Sequence, residues 1–253
     1  MLRKQAWFDF CDALLIEVEQ MADEGRDVSA FAAKAEEIQN MPRGKECTAA
    51  GVRLLSELEA VYAPNAAKEP SGLKEIQALA EGEACEKAEP NLDKIYGAWL
   101  GRCAGCLLGQ PVEGWRRARI NGLLKDTGNQ PLTYYISSDI PAELREKYDV
   151  RDDRLAYGAA KTGWINNVSY MPEDDDTNYT LLALKLVEQY GRDFTPDDVA
   201  ESWLMNLPLL HLCTAERVAY INLAQSIYPP ESASHRNPYR EWIGAQIRGD
   251  LFG

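Results

Sequence analysis

Apolar residues recur at helical spacing through the first 62 residues and predict two or three amphipathic helices. The first ends near Gly25, and its apolar face comprises Trp7, Phe8, Leu14, Leu15 and Val18. The second is expected to be capped by Ser29 and to end before Pro42. The third covers about residues 48–62. This front part therefore reads as a helical appendage over residues 1–63.

A stretch rich in Ala, Glu and Lys follows, with Pro64 and Pro90 at its ends. It has room for one short helix that carries Leu73, Ile76 and Leu79. Prolines that flank a polar segment are typical of a connection between domains. We therefore assign residues 64–90 to a linker and residues 91–253 to the main domain.

The main domain opens with a predicted helix over residues 92–109, capped by Asn91 or Asp93. Glycines recur in it every four residues, at 97, 101, 105 and 109. Each interior glycine costs about 1 kcal/mol of helix propensity relative to alanine. Such a stripe is expected to gain from the close approach of another backbone or of a ligand, and packing against a neighbouring helix explains most of it.

Three consecutive aspartates, Asp174, Asp175 and Asp176, precede an apolar stretch that begins near Leu181. Crowded carboxylates raise one another's pKa or recruit a cation, and oxygen ligands favour Mg²⁺ or Ca²⁺. The competing interpretation is a solvated acidic turn that caps the helix. Leucines surround most of the following helix, so we expect it to be buried. Because no Lys or Arg lies between Trp164 and Lys185, a metal would supply the missing positive charge.

A second acidic stretch, Thr195-Pro196-Asp197-Asp198, contrasts with this triplet. It has a capping Thr, Pro at the first helical position and acids in the first turn. Capping and the helix dipole explain these acids completely, so we assign them no chemistry.

Glu113 lies between a proline turn and Gly114, directly after the glycine-striped helix. This is a candidate active-site position, although a surface turn acid fits the spacing equally well. Arg116, Arg117 and Arg119 follow. They would suit a diphosphate group or, alternatively, form a solvated basic turn.

The composition narrows the possible partners and compartment. The net charge of −13 argues against a nucleic-acid surface, and 45% hydrophobic content over 253 residues is enough for a sizeable core. Six scattered cysteines suit reduced thiols in a cytoplasmic protein. The start of the chain has no apolar signal segment, and no uncharged stretch of 18 residues predicts a membrane span.

Two segments resemble the ADP-ribosylglycohydrolase family. Residues 93–101 and 105–114 are similar to its opening signature, and Glu173-Asp174-Asp175-Asp176-Thr177 resembles its Thr-Asp-Asp-Thr metal motif. The resemblance covers about residues 92–253. It implies an all-α fold of the orthogonal helical bundle type and a binuclear Mg²⁺ centre. It also implies hydrolysis of the glycosidic bond between ADP-ribose and a modified group. Asp174, Asp175 and Asp176 would then be metal ligands, and Glu113 the active-site glutamate.

The chain departs from this family pattern in three places. Cys106 replaces an Asp of the opening motif, which alters packing or a contact behind the metal ligands. The appendage before residue 90 has no counterpart in the minimal pattern. The family's second acidic motif is missing before Gly253, so the chain reads as a fragment or a split version with at most a partial Mg²⁺ site.

Two hypotheses follow from the sequence. The first is a Mg²⁺-dependent hydrolase that acts on an ADP-ribosylated protein or a small ADP-ribosyl compound. The alternative is a non-catalytic helical module, or an incomplete fragment, that binds at most one divalent cation.

Overall fold

The computed structural model of the chain describes residues 9–65, 68–80, 89–152, 155–156, 159–160 and 163–251. Trp7 and Phe8, which we assigned to the first helix, lie outside these residues. The described part is helical, with one antiparallel pair of two-residue strands, β1 (Leu155–Ala156) and β2 (Ala159–Ala160). The prediction of an all-α fold is confirmed.

Twelve α-helices occur in the described residues. They are α1 (Leu14–Asp23), α2 (Ala32–Gln39), α3 (Lys45–Glu59), α4 (Leu73–Leu79), α5 (Leu92–Gly109), α6 (Arg117–Asp126), α7 (Ala142–Lys147), α8 (Asp175–Tyr190), α9 (Pro196–Asn206), α10 (Thr214–Ala224), α11 (Glu231–Ser234) and α12 (Gly244–Arg248). None of these helices is both long enough and apolar enough to cross a bilayer. The chain divides into one compact unit from residues 1–86 and 186–246 and another from residues 87–185 and 247–253.

The core of the first unit is formed by the apolar faces of α1, α2 and α3, as their spacing predicted. Its buried members are Cys11, Leu14, Val18, Met21, Val28, Ala35, Ile38, Cys47, Leu54, Leu55 and Leu58. Gly25 follows α1 with a φ of 81°, a left-handed conformation that favours glycine and ends the helix. The predicted Ser29 cap is wrong, because Ser29 begins a 3₁₀ turn and its hydroxyl donates to Asp27.

A network of charged side chains joins α1 to the segment before α12 in the first unit. Arg240 contacts Glu17 Oε2 through Nη1 at 2.9 Å and Glu24 Oε1 through Nε at 3.0 Å. Arg26 Nε lies 2.9 Å from the second oxygen of Glu24. Burial raises the pKa of Glu17, and Arg240 acts against that rise. Burial also acts on Glu24, but Arg240 outweighs it and holds the pKa of Glu24 below its ordinary value.

Helix α9 also lies in this unit and begins as its sequence predicted. The Thr195 hydroxyl accepts from the backbone N–H of Asp198, and Asp198 Oδ2 accepts from the backbone N–H of Thr195 at 2.6 Å. These hydrogen bonds to the backbone and side chain of Thr195 lower the pKa of Asp198. The reciprocal pair is a capping box, so these acids have a structural role.

The core of the second unit lies beside α6 and comprises Leu123, Leu124, Ile136, Tyr148, Val150 and Trp164. Helix α5 matches its predicted bounds, and Asn91 accepts from Lys94 N as a cap. However, Leu92 is 81% exposed, and no described atom lies within 4 Å of a Cβ built on any of the four glycines of the stripe. The expected close packing on this stripe is therefore wrong for the described residues.

The expectation that the helix after the aspartates is buried is wrong for much of α8. Thr177, Tyr179 and Leu186 are buried, but Leu181 and Leu184 are 54% and 57% exposed. The apolar positions surround the helix, whereas the described residues cover only part of its circumference. Burial within α8 is therefore limited to Thr177 and Tyr179 near its beginning and to Leu186 in its second half.

Candidate metal centre

Asp175 and Asp176 begin the first turn of α8, and Asp174 directly precedes the helix as its N-cap. Asp174 Oδ1 accepts from the backbone N–H of Asp176 at 3.1 Å. The Thr177 hydroxyl donates to the backbone carbonyl of Asp174 at 3.0 Å. The capping that we considered as an alternative is thus present. It uses one oxygen of Asp174 and leaves the remaining carboxylate oxygens of the turn for other contacts.

Two of the three aspartates converge with a cysteine from α5. Cys106 Sγ and one oxygen each from Asp174 and Asp176 lie within 4.8 Å of one another. All three side chains are partly shielded from solvent. Asp175 is not a member of this group. We interpreted Cys106 only as a departure from a motif, so its place among the carboxylates was not predicted.

Two polar side chains of α5 and one from the residue that directly follows it face this acidic turn. Arg102, Cys106 and Gln110 are spaced by four residues, which places them along one face of the helix. Arg102 Nη1 donates to the backbone carbonyl of Asp176 at 3.1 Å, and Gln110 Nε2 donates to Asp174 Oδ2 at 3.3 Å. The turn is therefore held at both ends by a helix that lies about 70 residues earlier in the chain. The four-residue spacing of these side chains is visible in the sequence, but the acidic turn that they contact could not be predicted from it.

The crowding of these groups changes their proton affinities. Burial raises the pKa of the Cys106 thiol, and the charges of Asp174 and Asp176 raise it further. Burial also raises the pKa of Asp176, with an added contribution from the charge of Asp174. Cys106 and Arg102 act in the opposite direction on Asp176. The raised pKa keeps the Cys106 thiol protonated beside the two carboxylates.

The donor set fits a hard divalent cation in part. Mg²⁺ and Ca²⁺ bind carboxylate oxygens at about 2.0–2.6 Å, so ligand atoms within 4.8 Å of one another can share one ion. A full coordination shell of such an ion needs six or more ligand atoms, whereas this group offers three. Among the described residues it is the only group of three or more side chains that could hold a metal ion. Asp174 and Asp176 are the side chains that would hold a cation here, with Cys106 beside them.

Glu113 follows a 3₁₀ turn over Gln110–Val112, and its side chain is exposed. Because Gln110 is hydrogen-bonded to Asp174, the turn that carries Glu113 is anchored to the acidic group. Gly114 adopts a φ of 74°, which ends this turn.

The arginines that follow Glu113 differ in their surroundings. Arg119 stacks on Trp115 at 3.6 Å, and its Nε donates to the carbonyl of Tyr148 at 3.0 Å. Arg119 therefore has a structural role that leaves it unsuited to a diphosphate. Arg116 and Arg117 are exposed, as expected for a solvated basic turn.

The position of Cys106 leads to a prediction about a third carboxylate. We expect Cys106→Asp to reduce the free energy of unfolding by about 1 kcal/mol without a cation, because three carboxylates then repel one another. Added Mg²⁺ should stabilise this variant more than the wild type, since a cation neutralises the repulsion. Thermal unfolding with and without Mg²⁺ measures both effects.

The matched control for this substitution is Cys103→Asp. Cys103 is also half-buried on α5, but it lies outside the converging group. It should lack the additional stabilisation by Mg²⁺. An equal Mg²⁺ response in the two variants would show that Cys106 does not face the carboxylates.

The converging group lies within the part of the chain that matches a known family. A family model described as ADP-ribosylglycohydrolase matches residues 87–253. The match includes α5, the acidic turn and the beginning of α8. Searches of curated proteins and of solved structures found no match.

Proposed function

Because the chain belongs to the ADP-ribosylglycohydrolase family, we propose that it hydrolyses the glycosidic bond between ADP-ribose and a modified protein side chain or a related small ADP-ribosyl compound. The family is metal-dependent in general, and it acts on ADP-ribosylated substrates. For this chain we propose Mg²⁺ as the cofactor, with Asp174 and Asp176 as its ligands. Asp175 stays a predicted ligand, and Glu113 stays the predicted catalytic residue.

The observation that carries this proposal is the convergence of Cys106, Asp174 and Asp176 within the matched residues. Two carboxylates that share a partly buried turn supply the hard oxygen ligands that Mg²⁺ prefers. The contact between Gln110 and Asp174 supports a position for Glu113 near the same group.

In the proposed reaction, a water oxygen forms a bond to the anomeric carbon of the ribose. The bond from that carbon to the nitrogen or oxygen of the modified side chain breaks, and the leaving group takes up a proton. A divalent cation, when bound, polarises a water or a ribose hydroxyl. Glu113 accepts a hydrogen bond from the water or the ribose and so orients it. Asp174 and Asp176 would bind the cation through their carboxylate oxygens and balance its charge. Familiar two-carboxylate glycosidase chemistry is not needed for this division of roles.

The direct test is the release of free ADP-ribose. Peptides that are ADP-ribosylated on arginine or on serine are incubated with the chain in Mg²⁺ or in a chelator, and products are separated by chromatography. We expect ADP-ribose from at least one substrate in Mg²⁺ and none in the chelator. A Glu113→Gln variant should release ADP-ribose at least about 100-fold more slowly, while its thermal stability stays unchanged.

The second candidate is a non-catalytic helical module that binds at most one divalent cation. It is favoured by the small donor set, since the one converging group in the described residues offers three ligand atoms. A calorimetric titration with Mg²⁺ and the assay of ADP-ribose release together separate the candidates. Binding without ADP-ribose release supports the module, whereas release in Mg²⁺ supports the hydrolase.

A further inference from the structure

Arg102 joins the acidic turn to the end of the second unit. Its Nη1 donates to the backbone carbonyl of Asp176, and its Nη2 pairs with the carboxylate of Asp250. Arg102 is mostly shielded from solvent, whereas Asp250 is exposed. The guanidinium therefore spans two acidic residues, but it binds the backbone of one and the side chain of the other.

A positively charged side chain at this place has opposing effects on a neighbouring metal site. Its positive charge repels a divalent ion, so an arginine here weakens metal binding unless it contributes something else. It does not compete for the Asp176 carboxylate, because the hydrogen bond goes to the carbonyl oxygen. Asp250 offsets much of the charge. What the contact adds is a fixed position for the Asp176 backbone, and so a fixed direction for its side chain.

We propose that Arg102, itself held by Asp250, is a positioning residue that directs the Asp176 carboxylate toward Asp174 and Cys106. This inference rests on the proposed function in one respect, namely that these carboxylates bind the cation. It adds a specific cause for their convergence. Arg102 and Cys106 lie on one face of α5, and Gln110 continues that face directly after the helix, so this face organises the whole acidic turn.

Binding of Mn²⁺, a hard ion that suits the same ligands, distinguishes positioning from simple charge. The affinities of the wild type, Arg102→Met and Arg102→Lys are measured by calorimetric titration. If Arg102 positions Asp176, Arg102→Met weakens Mn²⁺ binding about 10-fold and Arg102→Lys weakens it less. If Arg102 acts only as a charge, its removal relieves repulsion and binding becomes tighter, which would overturn the proposal.

Two further variants isolate the contribution of the contact. Asp250→Asn should weaken Mn²⁺ binding a few-fold, because it loosens the guanidinium and exposes the site to its full charge. Arg116→Met removes an exposed arginine of the same unit and should leave the affinity unchanged. Equal effects of Arg102→Met and Arg116→Met would contradict a specific role for Arg102.

Hydrogen exchange without any metal separates this inference from the proposed function. The backbone of residues 174–180 should exchange faster in Arg102→Met than in the wild type, because the first turn of α8 has lost an anchor. Faster exchange supports positioning even if the wild type binds no Mn²⁺, in which case the proposed metal site alone fails. Unchanged exchange would overturn the inference whatever the metal affinity.

Discussion

Replacing Asp176 with Asn should remove the response of the chain to divalent cations and slow ADP-ribose release at least about 100-fold. Asp176 is one of the two carboxylates that converge beside Cys106, and an amide is a much weaker ligand for Mg²⁺ than a carboxylate. The measurements are a calorimetric titration with Mg²⁺ and an assay of free ADP-ribose on the same preparations.

The same substitution should slightly increase stability without metal. Burial and the charge of Asp174 raise the pKa of Asp176, so ionised Asp176 is less favourable in the fold than in the unfolded chain. Removing its charge is therefore expected to raise the free energy of unfolding slightly at neutral pH. A loss of binding together with unchanged or higher stability cannot result from misfolding.

Two further variants serve as comparisons for Asp176→Asn. Asp197 occupies a comparable place in the first turn of α9, but it is exposed and belongs to a capping sequence, so Asp197→Asn should leave both readouts unchanged. Asp175→Asn tests the remaining predicted ligand. A loss as large as that of Asp176→Asn would make Asp175 a ligand, while a small effect would restrict the site to the converging pair. Full Mg²⁺ binding by Asp176→Asn would refute the metal site.

The helices that were predicted well are those whose signals are local. Asn91 caps α5 and Thr195 caps α9 because a side-chain oxygen reaches a backbone N–H three residues ahead, which neighbouring residues alone determine. The apolar spacing of α1 to α3 was equally informative, since these consecutive helices pack against one another and share one core. The domain boundary near residue 90 stays a prediction.

The site was predicted less completely because its contacts are distant in sequence. The absence of Lys and Arg between Trp164 and Lys185 suggested that a metal most simply balances the aspartates, but Arg102 contacts Asp176 across 74 positions. Cys106 was interpreted only as a departure from the family motif for the same reason. The exposure of Leu181 and Leu184 also depends on which elements pack nearby, and the period of the helix does not contain that information.

Replacing Arg240 with Met is expected to lower the free energy of unfolding of the first unit by about 3–5 kcal/mol at neutral pH. Its side chain is 22% exposed, and those of Glu17 and Glu24 are 13% and 12% exposed. The substitution leaves two shielded carboxylates without their shared partner, which costs far more than the loss of a surface pair. Urea unfolding, followed by circular dichroism, measures the loss.

The comparison with a surface pair decides whether shielding is the cause. Lys34 and Glu57 form an ion pair in the same unit, with side chains 45% and 48% exposed. Lys34→Met should therefore cost at most about 1 kcal/mol. Adding Glu17→Gln to Arg240→Met should recover much of the loss, because Glu17 then carries no charge and Glu24 keeps Arg26 as its partner. Equal losses from Arg240→Met and Lys34→Met would show that the network contributes no more than an exposed pair.

The dependence on pH gives an independent check of this cause. Burial already raises the pKa of Glu17 above its ordinary value, and the loss of Arg240 should raise it further and should also raise the pKa of Glu24. Carboxylates with raised pKa values in the fold favour folding when protonated and oppose it when ionised. The difference in stability between wild type and Arg240→Met should thus be largest near neutral pH and shrink as the pH falls through those raised values. A difference that stays constant over this range would mean that Arg240 stabilises α1 through packing of its aliphatic stem rather than through its charge.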